Sequence, residues 1–182
     1  FGADVTLVEA VPGSSAKLGG AREVSTGAQR AAAYNALGRG KKSIALNLKE
    51  EAAREIFYEM VKSADVVIEG FRPGVVKRLG VDYETLAKIN PRVICCSVSG
   101  FGQTGPYSNL VGHDINYFGL SGALQVIGRK VESPVPPVNL VVDFAGGGML
   151  LVVGVLSALI ERMASGAGQV IDAAMIDGAS LL

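Results

Sequence analysis

Three short runs of β-branched and apolar residues, 43–48 (SIALNL), 65–69 (DVVIE) and 92–98 (RVICCSV), alternate with stretches whose apolar residues recur at helical spacing. Between the first two, residues 49–63 (KEEAAREIFYEMVKS) put Ala52, Ile56, Met60 and Val61 on one face and acids in the first turn, which predicts an amphipathic helix. After the second run comes a loop, FRPG, and short helices are predicted over 75–79 and 83–89. Strands and helices in alternation predict an α/β chain with a parallel sheet. Residues 4–9 (DVTLVE) read as a further buried strand.

Past FGQTGP the pattern changes. GHDINY (112–117) opens a predicted helix running to about Gln125, followed by a proline-rich turn, a long apolar helix over 144–160 and a short strand over 169–173. The apolar helix is 17 residues without a charge, at the short edge of a membrane span, but three consecutive glycines, Gly146 to Gly148, fit a buried helix better. Residues 11–36 are rich in Gly, Ser and Ala without a clear period and read as a loop with some helix.

The chain of 182 residues is 49% hydrophobic, with 17 basic and 17 acidic side chains, so one domain with a substantial core is expected over 1–182. A net charge of zero argues against a nucleic-acid-coating role. Cys95 and Cys96 are neighbours in a strand-like run and point to opposite faces, which fits buried thiols in a reducing compartment; the cytoplasm is expected, or a peroxisome or mitochondrion in a eukaryote. The chain starts without methionine and stops within helix-like sequence (MIDGASLL), so it reads as a piece of a longer protein.

Familiar motifs fail. LGRGKKS lacks the upstream glycine and following hydroxyl of a phosphate loop, and SVSGFG is no nucleophile elbow. One histidine without a cysteine cluster argues against a His/Cys metal site. Three candidates remain. Arg39, Lys41 and Lys42 precede one strand and Arg72, Lys77 and Arg78 follow another; at sheet ends they either grip a polyphosphate or are solvated surface charges. Asp143 stands among apolar residues ahead of the long helix, either as an N-cap or as a functional carboxylate, with the glycines after it allowing close approach of a ligand. His113 is either a core histidine satisfied by Asp114 or Asn116, or one half of an acid/base pair with Asp143.

Taken in order, RGKKSIALNLK, ADVVIEGFRPGVVKRLGVDYETLAKINPRVI, SVSGFGQTGPYSN, GHDINY, PVPPVNLVVDFAGGGM and GAGQVIDAAMIDG resemble the family III CoA-transferase superfamily (CaiB/BaiF type) along the whole chain. GHDINY with PPVNLVVDFAGGGM resembles its α-methylacyl-CoA racemase branch. The resemblance implies a Rossmann-like parallel sheet with flanking helices, the large CoA-binding domain without its first strand and helix and without the C-terminal half. It implies interconversion of (R)- and (S)-2-methylacyl-CoA thioesters by α-proton removal and return, with His113 and Asp143 serving opposite faces and no cofactor beyond the CoA of the substrate. Phe71, Arg72, Arg78 and Leu79 match positions that hold the adenine nucleotide, while Tyr117 and Asn139 match residues lining the acyl-thioester site.

Two departures from the family stand out: Ala10 where relatives often carry an arginine, and coverage, since the C-terminal half that the chain lacks relative to the family includes a glutamate that partners the histidine. The resemblance further implies an interlocked homodimer, with neither nucleic acid nor membrane as partner. A CoA-transferase using Asp143 as nucleophile, and a non-catalytic acyl-CoA-binding fragment, are the competing readings.

Overall fold

The computed structural model describes residues 2–11 and 38–181, so the Gly- and Ser-rich stretch lies almost wholly outside the described residues. These residues form two compact units, one ending at Phe57 and the other beginning at Tyr58.

In the first unit β1 (Thr6–Glu9) pairs in parallel with β2 (Lys42–Ala45), Thr6 opposite Lys42 and Glu9 opposite Ala45. Lys42 Nζ meets Asp4 Oδ2 at 2.7 Å, and the Ser43 hydroxyl donates to the Glu9 carboxylate. The expectation that DVTLVE is buried fails: only Val8 of β1 is even half-buried, and Leu7 is 46% exposed. A two-stranded sheet gives its strands one hydrogen-bonded neighbour each and little to cover their faces.

Helix α1 (Glu51–Val61) lies within the expected 49–63 and begins two residues later, and the Arg54 guanidinium donates to the Leu48 and Lys49 carbonyls ahead of it. Its buried face matches the expected one only in part: Val61 is buried and Met60 half-buried. Ala52 and Ile56 are exposed, whereas Phe57 and Val61 are buried and Ala53 is half-buried. Both stripes have i, i+4 spacing, so periodicity alone does not choose between them; the stripe carrying the larger ring buries more apolar area.

The second unit is built on a parallel sheet of order β3-β4-β5, with β3 Val66–Glu69, β4 Ile94–Ser99 and β5 Val170–Ala174. Val66 lies opposite Ile94, Cys95 opposite Val170 and Ser99 opposite Ala174. Parallel neighbours need crossovers, supplied here by α2 (Val75–Leu79) and α3 (Tyr83–Ile89) between β3 and β4. Gly80, with φ 71°, ends α2 in the left-handed conformation that glycine adopts without strain. Asp82 caps α3, its Oδ1 accepting from Thr85 N at 3.2 Å. Leu86, Val93 and Ile94 are fully buried, and the Asn90 amide donates to the Val61 and Ala64 carbonyls.

The crossover from β4 to β5 is longer. Helix α4 (Asp114–Leu120) stops at Ser121, and Gly122 at φ 82° separates it from a 3-10 turn, Ala123–Val126, so the single helix expected to Gln125 is broken. The long apolar helix begins at Leu140, four residues earlier than expected, as a π-helical segment α5 (Leu140–Met149) that continues into α6 (Leu150–Ser165). α6 packs on β4 and β5, and its last turn is pinned by Arg162, which donates to Asp65 Oδ1 at 2.7 Å and to the Arg92 carbonyl at 2.9 Å.

The expectation of a buried helix also fails. Leu140–Ser165, 26 residues with a mean hydropathy of 2.0 in its most apolar window, is long and apolar enough to cross a membrane by length and composition, and 17% of that window is buried within the chain. Its uncovered side carries Val153, Leu156, Ile160 and Met163. One helix cannot bury all its sides against one face of a three-stranded sheet.

After β5 the chain turns directly into α7 (Met175–Leu181), which packs on α5. The approach is closest where two glycines meet: a Cβ on Gly178 would lie 2.1 Å from the Gly146 carbonyl oxygen. Gly146 and Gly147 are buried against α7, so they serve helix packing where sequence reasoning had given them to a ligand. Beside this crossing Tyr117, Phe118, Val142 and Ala179 form a buried apolar cluster.

Candidate active site

All three strands of the larger sheet end on the same side, the side where ligands bind in open α/β folds. Glu69 ends β3 and leads to Phe71 and Arg72, Ser99 ends β4 and leads towards His113, and Ala174 ends β5 and leads to Met175. Beyond these ends lies a pocket of about 380 Å³ lined by Gly112, His113, Tyr117, Asn139, Asp143, Phe144 and Met175. Four residues singled out from the sequence, His113, Tyr117, Asn139 and Asp143, therefore meet in one place. They come from stretches 22 or more residues apart in the chain.

His113 is the N-cap of α4, with its backbone extended at φ −130° and ψ 172°. Its N–H donates to Asn116 Oδ1 at 2.9 Å, which fixes the turn, and its side chain is exposed, not part of the core. Tyr117, one helical turn on, is buried and stacks edge-on against Phe101 with centroids 4.9 Å apart. Its ring fills the space that side chains on Gly100 and Gly112 would occupy, since a Cβ on either would lie 2.3 Å or 2.6 Å from ring atoms. These two glycines thus make room for the aromatic wall of the pocket.

Asp143 is not an N-cap. It lies in the first turn of the π-helical α5, with Asn139 in the capping position and the Asp143 side chain half-buried towards the pocket. The capping carboxylate belongs to Asp114: its Oδ2 accepts from Val142 N at 3.0 Å and from Asp143 N at 2.9 Å. A helix start leaves its first N–H groups without partners, and one buried carboxylate here satisfies two of them. These two backbone donors are therefore occupied and not free to meet a developing oxyanion.

Burial raises the Asp143 carboxyl above its ordinary value; the nearby Asp114 charge raises it further, and His113 opposes them. Burial, with the Asp143 charge behind it, likewise raises the Tyr117 phenol. A carboxyl raised by burial within a pocket is a candidate for proton transfer.

Phe71, Arg72, Arg78 and Leu79 gather in the loop after β3 and in α2. The Phe71 N–H donates to Glu69 Oε2 at 2.7 Å, Arg72 and Arg78 are exposed, and Phe71 and Leu79 are half-buried. They share the sheet end with the pocket but do not line it. Arg39, Lys41 and Lys42 instead lie at the amino end of β2, where the ligand rule for open sheets does not apply, and Lys42 is paired with Asp4. Ser99 Oγ, at the end of β4, and Gln103 Nε2 are buried without a hydrogen-bond partner. Among the described residues no group of three or more His, Cys, Asp or Glu side chains is arranged to hold a metal ion.

The profile of CoA-transferase family III matches residues 1–182. The chain belongs to that family. It is 49% identical over 148 residues to mouse (Mus musculus) α-methylacyl-CoA racemase, covering 81% of this chain and 39% of the mouse protein. It is 46% identical over 145 residues to acetyl-CoA:oxalate CoA-transferase of Acetobacter aceti, covering 80% of this chain and 37% of that enzyme. The crystal structure of a CAIB/BAIF family protein from Brucella suis superposes with a TM-score of 0.82 at 37% identity, over 98% of this chain and 47% of that one. The chain thus spans less than half the length of these family members.

Within this family III domain, sequence reasoning missed Gly112, Phe144 and Met175 as pocket walls and Asp114 as the group that caps α5. Gly112 and Asp114 flank His113 in GHDINY, and the position of Met175 directly after a strand was the available signal for it.

Proposed function

We propose that this family III domain carries the acid/base pair of an α-methylacyl-CoA racemase, His113 and Asp143, acting on a 2-methylacyl-CoA thioester. The observation that carries this reading is their convergence on one pocket at the carboxyl ends of the sheet. One group removes the α-proton from one face of the substrate, the electron pair moves into the thioester carbonyl as an enolate, and the other group, protonated beforehand, gives its proton to the opposite face. Each ends in the protonation state the reverse reaction needs. The raised Asp143 carboxyl suits both halves of that task.

Acid/base transfer of this kind supplies about 10² to 10⁴-fold, or roughly 3 to 5 kcal/mol, so the enolate needs further stabilisation. Because Val142 N and Asp143 N are committed to Asp114, we assign the carbonyl oxygen to the remaining polar lining, Tyr117 and Asn139. Arg72, Arg78, Phe71 and Leu79, in the loop after β3 and in α2, take the CoA nucleotide, and the thioester end reaches the pocket at the same sheet end. The uncovered side of α6 is assigned to the rest of a full-length protein and to a second copy of it.

The test is incorporation of deuterium at the α-carbon of 2-methylacyl-CoA in heavy water by the full-length protein. His113→Ala and Asp143→Ala are each assayed from both enantiomers, and each is expected to abolish exchange from one enantiomer first. Absence of exchange by the wild-type protein with every such thioester defeats the proposal. The second reading, a CoA-transferase with Asp143 as nucleophile, is favoured by the 46% identity to the oxalate enzyme. It requires an acyl-enzyme that hydroxylamine traps at Asp143, whereas the racemase forms none.

A further inference from the structure

Asp114 is the only charged side chain among the buried residues described, and its carboxylate is spent on the backbone of another helix. It is the first residue of α4, directly after His113, and it grips the first turn of α5 at the amide of Asp143 itself. We propose that Asp114 is the positioning residue of the pair, locking the start of α5 to the start of α4 so that His113 and Asp143 keep a fixed separation across the pocket. The proposal rests on the racemase reading for its kinetic consequence but not for its geometry.

The physical case has three parts. The chain between His113 and Asp143 does not set their distance: it contains a break at Gly122 and the exposed Val126, Val131 and Val135. A bridge formed by one side chain with two hydrogen bonds at 2.9 and 3.0 Å does, because a charge-assisted bond to a backbone amide is short and directional. Placing a carboxylate there also puts its negative charge beside Asp143, consistent with the raised Asp143 carboxyl. The other ionisable groups around Asp143 are His113 and Tyr117 from α4; α7, which packs on α5, contributes only Asp177, which is exposed.

The test uses the full-length protein with Asp114→Asn, which keeps an acceptor without the charge, and Asp114→Ala, which removes both. Hydrogen exchange at the Val142 and Asp143 amides is expected to speed up at least tenfold in Asp114→Ala and to change little in Asp114→Asn. Titration of the Asp143 carboxyl carbon by NMR is expected to move to lower pH in Asp114→Asn. In turnover, Asp114→Ala is expected to lose on the order of 10²-fold in kcat with KM within about threefold, the loss that roughly an ångström of misplacement causes. Asp114→Asn keeps most of kcat, and the acid limb of its pH profile, in the direction where Asp143 is the base, shifts down.

A merely structural cap lowers stability without moving the Asp143 titration or the pH limb. Unchanged amide exchange in Asp114→Ala, or an unmoved Asp143 titration in Asp114→Asn, overturns the proposal. If the wild-type protein exchanges no α-proton, the racemase reading fails while the amide and titration measurements still decide the role of Asp114.

Discussion

Replacing Gly178 by alanine tests the crossing of α5 and α7, because both sides of that contact are backbone. The new Cβ would sit 2.1 Å from the Gly146 oxygen, 2.4 Å from its carbonyl carbon and 2.6 Å from its Cα, whereas ordinary contact begins at 3.4 Å. The helices must separate by about 1.3 Å to relieve the closest of these, and no side chain can rotate away to help. Overpacking of a core costs about 1 to 3 kcal/mol where side chains yield, so a backbone clash is expected at or above the top of that range.

Two neighbouring glycines give graded controls with the same added methyl group. At Gly146 the nearest atoms are at 3.0 to 3.2 Å, a shift of a few tenths of an ångström, and the gain in helix propensity of up to about 1 kcal/mol offsets much of the strain. At Gly148 the nearest atom is 3.7 Å away, so alanine is expected to stabilise by roughly 0.5 to 1 kcal/mol. The assay is urea unfolding of the full-length protein, reading the midpoint shift of Gly178→Ala against Gly146→Ala and Gly148→Ala. The order Gly148→Ala, Gly146→Ala, Gly178→Ala from most to least stable is required; a Gly178→Ala protein as stable as Gly148→Ala refutes the close crossing.

Three further outcomes follow from the same structure. Asp143 has a carboxyl raised above its unfolded value of 3.8, so the folded state holds the extra proton and stability falls as pH rises through that interval. Asp143→Asn is therefore expected to unfold at higher temperature than wild type at pH 7, with the difference gone below about pH 4, and equal melting at both pH values counts against the shift. Burial pushes the Cys95 and Cys96 thiols up to about 12 and about 11, so neither is expected to be alkylated by iodoacetamide at pH 8 in the native protein, as read by mass spectrometry. Leu86→Ala opens a cavity at a fully buried site between α3 and the sheet and is expected to cost about 2 to 5 kcal/mol in the same urea assay.

The sheet was legible because its signals are local. β3, β4 and β5 fall within two residues of the runs read from the sequence, and α2 and α3 fall on the expected residues. Errors arose where a long-range partner decided the outcome. Which stripe of α1 is buried depends on what it packs against: of the expected face Val61 is buried and Ala52 and Ile56 are exposed, while Phe57, outside that face, is buried. The start of the long helix moved from Phe144 to Leu140 because a carboxylate 28 residues earlier supplies the cap, and no local pattern announces that. The same displacement removed Asp143 from the capping role and left it available for chemistry. His113, Asp143, Tyr117 and Asn139 line one pocket, whereas Gly146 and Gly147 pack against α7.

The bridge from Asp114 to the first turn of α5 spans a contour of almost thirty residues whose middle is solvent-facing. With the shortcut carrying the geometry, the exposed residues 128–133 can change in length and composition while Asp114 still holds the Val142 and Asp143 amides. For engineering, the exposed residues 128–133 are accordingly the place to graft a new loop without loosening the start of α5.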